Sequence, residues 1–335
     1  GFLAVILIFL LASWGVFGEL PDYTVLENPK TNLATEIISS DGKTLGKFYL
    51  NDNRTPVSYD ELPKHLVDAL IATEDARFHD HSGIDARGTV RAFAFLGKKG
   101  GASTISQQLA RQLFIGVRDK ESATNAILQK VQEWIIAIKL ERQYTKEEII
   151  AQYFNIYDFL NNADGIRSAS SIYFDKEPIE LDLKESAMLV GMFKNSALYN
   201  PRRNPEGVKN RRNVVLAQMY KYDFIDEKLK DSLQKTDLDL KYTPQSHRDG
   251  IATYFRGYLD SFMRDWIKNN PKPDGSKWNL YNDGLKIYTT IDSRMQKYAE
   301  DAVEQHMPRL QAEFFHQNTP ERNPTAPFLE LEKEE

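Results

Sequence analysis

Apolar residues recur at helical spacing over most of this chain. Leu62, Leu66 and Leu70 are four residues apart, which is the pattern of a helix that buries one face. The same texture continues to about Lys235. The pattern therefore predicts a mainly α-helical domain over residues 62–235.

Alternating polar and apolar positions are confined to two short stretches. Glu36 to Leu50 alternates around an Asp41-Gly42 turn, which predicts a short β-hairpin within a linker over residues 18–61. A strand is predicted over residues 285–291. It lies within a mixed α/β region, residues 236–335, that ends in a Pro-rich and charged tail.

Two helix starts are marked by capping boxes, in which a Thr precedes a Gln or Glu by three residues. They are Thr104 with Gln107 and Thr145 with Glu148. Apolar periodicity predicts further helices, over 127–141, 184–193, 208–220 and 293–310.

The first seventeen residues, 1–17, are apolar apart from Ser13, and Trp14 lies near one end, where an interfacial aromatic belongs. Seventeen helical residues reach only ~26 Å against ~30 Å of hydrocarbon. We therefore expect a truncated transmembrane anchor. A signal-peptide core is the alternative, although no small-x-small cleavage site and no basic leader are present.

Composition limits the partners and cofactors of the chain. Its 335 residues, 41% hydrophobic and 27% charged, are typical of a globular protein of two ordinary domains. The net charge of −5 argues against broad electrostatic capture of nucleic acid. The absence of cysteine excludes disulfides and thiolate chemistry. No nucleic-acid partner and no organic cofactor are expected.

The first candidate for chemistry is the acidic and histidine-bearing stretch that follows the helix from Leu62. Glu74 ends this apolar helix, so partial burial would suit it to act as a general acid or base. His79 and His81 raise the possibility of a metal site, but H-x-H spacing is weak evidence and no H-E-x-x-H occurs. A histidine that hydrogen-bonds the loop is the simpler interpretation.

Two helices supply further polar clusters. Thr104, Gln108 and Arg111 fall on one face of a helix, opposite its apolar side, either as a contact surface for pyrophosphate or sugar or as a solvated face. Lys130 and Glu133 lie three residues apart on a helix that is apolar on most sides. They are either a self-satisfied pair or a charged lining of a cleft.

Five motifs follow one another along the chain. They are Glu74-Asp75 with Phe78, His81 and Gly83; Gly101-x-Ser103-Thr104-Ile105-x-Gln107-Gln108-Leu109; Lys130-x-x-Glu133; Tyr153-Phe154-Asn155 through Gly165 to Tyr173-Phe174; and Tyr199-Asn200-Pro201 through Arg211-Arg212 to Met219. Together they closely resemble the peptidoglycan glycosyltransferase (family 51) domain of class A penicillin-binding proteins.

The resemblance implies a lysozyme-like helical domain with a small membrane-apposed lobe. It implies that the enzyme polymerises lipid II into β-1,4 glycan strands, inverting the anomeric centre and releasing undecaprenyl pyrophosphate. Lipid II, the growing glycan, the cytoplasmic membrane and proteins of cell-wall synthesis are the implied partners. The catalytic domain would lie on the extracytoplasmic (periplasmic) side of a single-pass anchor, and a moenomycin-type inhibitor would block it.

By the same resemblance, Glu74 is the base, and Glu133 assists the leaving group directly, through Lys130 or through a divalent cation such as Mg²⁺. The motif positions implied to bind substrate, or to position the residues that do, are Asp75, Phe78, His81, Ser103, Thr104, Gln107, Gln108, Arg111 and Lys130.

Several positions depart from the family pattern, and none of them is one of the two glutamates. Arg111 replaces a common Lys, and Gln129 replaces a common Arg beside Lys130, which removes one cation expected near the pyrophosphate.

An apolar flank facing the membrane is expected at Phe93, Phe95 and Leu96, with core packing as its alternative.

The second activity of class A proteins is not expected in this chain. That activity, transpeptidation, needs an acylating serine in an S-x-x-K motif and a later K-T-G motif. Here S-x-x-K occurs only at Ser40 to Lys43, in the predicted hairpin, and at Ser232 to Lys235, and K-T-G is absent. Residues 236–335 are therefore interpreted as a linker and the beginning of a truncated transpeptidase domain. A lysozyme-like glycan-cleaving enzyme and a non-catalytic membrane scaffold are the competing functions.

Overall fold

The structure is a computed structural model, and it describes residues 33–49, 53–94, 103–115, 123–243, 251–319 and 321–323. The predicted anchor over residues 1–17, the flank residues Phe95 and Leu96 and the side chain of Phe93 lie outside what is described. Within the described ranges, no helix combines the length and apolar character that a membrane crossing requires.

The described chain is mainly helical, as predicted. Its α-helices are α1 Lys64–Glu74, α2 Ala86–Ala94, α3 Ile105–Ala110, α4 Ala123–Gln143, α5 Lys146–Ile156, α6 Gly165–Phe174, α7 Leu183–Met192, α8 Pro205–Lys221, α9 Glu227–Lys235, α10 Thr253–Asn269 and α11 Ser293–Gln317. The strands are β1 Thr35–Ile38, β2 Thr44–Phe48 and β3 Lys286–Tyr288.

The chain divides into two compact units. The first contains α1 to α9, and the second contains the three strands, α10 and α11. In the second unit β1 pairs antiparallel with β2 and parallel with β3, with Ile37 opposite Gly46 and Ile287. The predicted hairpin is thus confirmed, but the structure groups it with the C-terminal strand rather than with a linker.

The core of the first unit forms where amphipathic helices bury their apolar faces. α1 packs against α7 and α8, and α3 packs against α4 and α5. Leu66 and Leu70 of α1 and Leu109 of α3 are fully buried. This packing holds α1 and α3 in place, and the candidate residues lie at the end of α1 and along α3.

A group of aromatic rings fills the core behind α5. The ring of Phe193 lies 4.8 Å from Tyr153, 5.6 Å from Phe154, 4.4 Å from Tyr157 and 5.4 Å from Phe159, between centroids. Such tilted and edge-on contacts stabilise aromatic pairs beyond the area they bury. They fix α5 against the end of α7, and with it the hydroxyl of Tyr153.

Candidate active site

The residue after α1 connects two parts of the site. Asp75 is buried, and its Oδ2 accepts a hydrogen bond from the backbone N–H of Ile105 at 3.1 Å, at the start of α3. A carboxylate is favoured there because the first N–H groups of a helix are unpaired and the N-terminal end of the helix dipole is positive. The same carboxylate lies 3.0 Å from Nε2 of His81. Asp75 and His81 therefore position the loop.

Glu74 is the last residue of α1 and is half-buried. Its Oε2 accepts a hydrogen bond from Nε2 of Gln108 at 2.9 Å. The Oε1 of Gln108 in turn accepts from the hydroxyl of Tyr153 at 2.9 Å. Burial, reinforced by the charge of Glu74, raises the pKa of Tyr153 well above its usual value. The hydroxyl therefore stays protonated and holds the Gln108 amide with its N–H groups towards Glu74.

We expect Tyr153→Phe to lower kcat about fivefold with KM unchanged, because a net hydrogen bond is worth about 1 kcal/mol and the Gln108 amide would lose its anchor. Tyr173→Phe is the matched control, since the hydroxyl of Tyr173 is also buried and donates to the Phe159 carbonyl at 2.8 Å. Steady-state kinetics and thermal melting of both variants check this. An equal fall in kcat for both would contradict the role of Tyr153.

The predicted helix start at Thr104 is confirmed, but the capping box is not completed. Oγ1 of Thr104 accepts from the backbone N–H of Gln107 at 3.2 Å and donates to the carbonyl of Gly83 at 2.7 Å. The Gln107 side chain donates to the Gly83 carbonyl at 3.1 Å. The side chain of Thr104 therefore binds the backbone at Gly83, and it does not share a helix face with Gln108 as predicted.

Gly83 must be glycine for two reasons. Its φ is +91°, and a Cβ would lie 2.9 Å from backbone atoms of Ala137 in α4. We expect Gly83→Ala to destabilise the first unit by about 3 kcal/mol, from backbone strain and overpacking. Urea unfolding measures this. The same substitution at Gly42, whose φ is +79° in open space, should cost less, and an equal cost at both positions would contradict the close approach to α4.

The Lys130–Glu133 pair lies on α4, the helix that packs against α3. Glu133 is 1% exposed, and its Oε2 is 2.6 Å from the ammonium of Lys130. The ammonium also donates to Oε1 of Gln107 at 3.0 Å and to Oγ of Ser103 at 2.9 Å. NH1 of Arg111 lies 4.0 Å from Oε1 of Glu133. One buried carboxylate thus holds an ammonium and a guanidinium close together.

Phe78, one of the motif positions, does not reach the surface of the site. Its side chain is fully buried in the core, with the Lys146 ammonium 4.1 Å from the ring centroid. Lys146 donates to the His81 carbonyl at 2.7 Å and pairs with Glu141. Phe78 and His81 therefore stabilise the segment that follows α1 from its buried side.

Glu74 opens into a polar cleft of about 280 Å³. The predicted residues Asp75, Ser103 and Thr104 also line it. Four other lining residues were not predicted as site residues, because none is a position that the motifs name: Arg77 after α1, Arg91 on α2, and Gln218 and Lys221 on α8. Within the described residues, no cluster of three or more His, Cys, Asp or Glu side chains could hold a metal ion.

Comparison with known proteins decides the family. The model of the family described as "Transglycosylase" matches residues 41–220, which is more than half of the chain and contains every site residue predicted from the sequence. The chain belongs to the transglycosylase family. The resemblance read from the five motifs is thereby confirmed.

Relatives of this transglycosylase are penicillin-binding proteins. Penicillin-binding protein 1A of Escherichia coli K12 is 33% identical over 305 residues, covering 88% of this chain and 34% of that protein. Penicillin-binding protein 1F of Bacillus subtilis 168 is 32% identical over 314 residues, covering 91% and 42%. The chain thus spans about a third to two fifths of the length of these curated relatives.

A solved structure was also found. It is the 2.6 Å crystal structure of penicillin-binding protein 1A from Haemophilus influenzae, 21% identical, covering 81% of this chain and 29% of that one, with a TM-score of 0.38. This score is too low to support an argument about the arrangement of the helices.

Proposed function

We propose that this transglycosylase is a peptidoglycan glycosyltransferase that polymerises lipid II into β-1,4 glycan strands with inversion. The observation that carries the proposal is Glu74, held by Gln108 at a polar cleft and linked through α3 to the buried Lys130–Glu133 pair. A base and a group of cations are both required when a hydroxyl displaces a pyrophosphate, and in the proposal Glu74 is the base while the cations are those around Glu133.

In the proposed reaction Glu74 removes the proton from the 4-hydroxyl of the acceptor sugar. Gln108 occupies Oε2, so Oε1 is the oxygen available to the hydroxyl. The hydroxyl oxygen attacks the anomeric carbon of the lipid-linked growing glycan. The bond from that carbon to the pyrophosphate oxygen breaks, and undecaprenyl pyrophosphate leaves with the electron pair.

The leaving pyrophosphate carries negative charge that fixed cations would stabilise. In the proposal these cations are Lys130 and Arg111, and Glu133 holds both of them in place. A divalent cation near Glu133 remains a prediction from the resemblance. The carboxylate already has two cationic neighbours, and the described residues offer no further acidic cluster there. The residues present therefore do not fit a metal ion held by the protein, and the proposed steps use none.

The setting of the reaction is also proposed. A polyprenyl substrate stays in the bilayer, so the domain would work at the membrane surface, held there by an anchor at residues 1–17, on the extracytoplasmic side. The helical unit would have the lysozyme-like arrangement with a membrane-apposed lobe, and proteins of cell-wall synthesis would be its partners. The support for this setting is the resemblance in the five motifs, together with the match of residues 41–220 to the transglycosylase family.

The experiment that tests the function is incubation of the purified chain with labelled lipid II, followed by separation of the products. Glycan strands should form, and a moenomycin-type inhibitor should stop their formation. Parallel reactions with EDTA or Mg²⁺ test the divalent cation. If no polymer forms and the chain instead releases muropeptides from purified sacculi, the enzyme is a glycan-cleaving one and the proposal is wrong.

A further inference from the structure

The cleft that contains Glu74 has more positive charge than its own carboxylates balance. Four cationic side chains line it, Arg77, Arg91, Arg211 and Lys221. Arg77 pairs with Asp85. In the part of the chain that the structure describes, the other three have no carboxylate within 4.0 Å.

The surroundings of these three cations leave their charged ends available. Nε of Arg91 is buried and has no hydrogen-bond partner among the described residues. Arg211 uses Nε to donate to the Gly191 carbonyl at 3.3 Å, which leaves the two terminal nitrogens of its guanidinium. The ammonium of Lys221 lies 4.9 Å from the ring centroid of Tyr222.

Helical spacing explains why two of the cations face the same way. Arg211, Gln218 and Lys221 lie seven and ten residues apart on α8, so they fall on one side of that helix. All three line the cleft. The amide of Gln218 adds a neutral hydrogen-bonding group between the two charges.

The carboxylates of the cleft compensate these cations only in part, because Asp85 pairs with Arg77 and Asp75 faces His81, which leaves Glu74 as the one carboxylate among the described lining residues against three cations. Glu74 is hydrogen-bonded to Gln108, and Asp75 to His81 and the start of α3. A cleft with an excess of positive charge attracts anions. Arginine in particular recognises phosphates and carboxylates through paired N–H groups.

We propose that Arg91, Arg211 and Lys221 form a binding subsite for an anionic group, phosphate or carboxylate, of the acceptor substrate. The proposal rests on the proposed function. The acceptor must bring its hydroxyl to Glu74, which lines this same cleft. Lys130 and Glu133 do not line it and serve the donor. The donor pyrophosphate leaves in the reaction, whereas the acceptor keeps its anions and needs a lasting partner.

The test measures binding and turnover separately. The ligand is a lipid II analogue that lacks the 4-hydroxyl and therefore cannot react as acceptor. Because it keeps its pyrophosphate and can also occupy the donor site, its Kd is measured by calorimetry in a Lys130→Gln background, in which the proposed donor site is weakened. The double variant Arg211→Gln, Lys221→Gln should weaken binding at least tenfold, and should raise KM for acceptor similarly with little change in kcat. Lys209→Gln is the control, because Lys209 is also on α8 but pairs with Asp237 instead.

Further arms identify the anion and guard against misfolding. If an analogue without stem peptide shows the same loss of affinity in the double variant, the anion is the pyrophosphate; if it shows none, the anion is a peptide carboxylate. Unchanged Kd in a double variant with wild-type thermal stability overturns the subsite. If that variant melts early, Lys221→Gln alone, at an exposed position, decides by the same Kd. Failure of the wild-type chain to polymerise would overturn the proposed function, while the Kd still judges the subsite.

Discussion

Glu74→Gln should abolish glycan polymerisation, lowering kcat by roughly 10³-fold or more, because a positioned general base contributes about 10²–10⁴-fold. Glutamine has nearly the same shape as glutamate, and its carbonyl oxygen can still accept the hydrogen bond from Gln108 that Glu74 accepts at 2.9 Å. What it cannot do is take a proton. Substrate binding and folding should therefore survive while turnover is lost.

The measurement is the initial rate of polymer formation from labelled lipid II, with thermal melting to confirm that the variant folds. Glu206→Gln is a matched control: Glu206 is exposed at the start of α8 and should keep wild-type turnover. Polymerisation by Glu74→Gln within a few fold of wild type would show that another group removes the proton.

Local signals in the sequence predicted most of the helices. The predicted helix over 127–141 lies inside α4, and the capping box of Thr145 and Glu148 is present as predicted at α5. The sequence did not predict α10, because aromatic residues interrupt its exposed face, with Tyr254 and Tyr258 largely exposed. This pattern does not separate an outer from an inner side.

Long-range pairing was also beyond the sequence. Strand β1 pairs with β3, and Glu36 lies opposite Lys286, about 250 residues further along the chain. No local pattern specifies such a partner. The hairpin itself is local, since the Asp41-Gly42 turn sets it, and it was predicted correctly.

The site residues also divide into those that the sequence predicted and those that only the structure identifies. The resemblance gave Glu74 and Glu133, but the residues that fix them were visible only in the structure, such as Tyr153 behind Gln108. In the pair Arg211-Arg212 the sequence could not say which arginine faces the cleft. Arg212 is fully buried and donates to carbonyls at the end of α9, among them that of Thr236 at 2.8 Å, and burial lowers its pKa.

Glu133→Gln should reduce kcat by about 10²-fold or more, because Lys130 and Arg111 would lose the carboxylate that holds them where the leaving pyrophosphate develops charge. The ammonium of Lys130 would keep its bonds to Ser103 and Gln107, so it would shift rather than leave. Since breaking a buried ion pair costs about 3–5 kcal/mol, the variant should also unfold at a lower temperature.

A loss of stability alone must be separated from the loss of catalysis, and Glu185→Gln does this. Glu185 is 5% exposed and pairs with Lys176 at 2.8 Å, so the substitution breaks a similar buried pair outside the cleft. Both variants should melt earlier, but only Glu133→Gln should lose turnover at a temperature where both are folded. Equal activities at that temperature would mean that Glu133 acts on folding alone, and that Lys130 and Arg111 neutralise the leaving group without it.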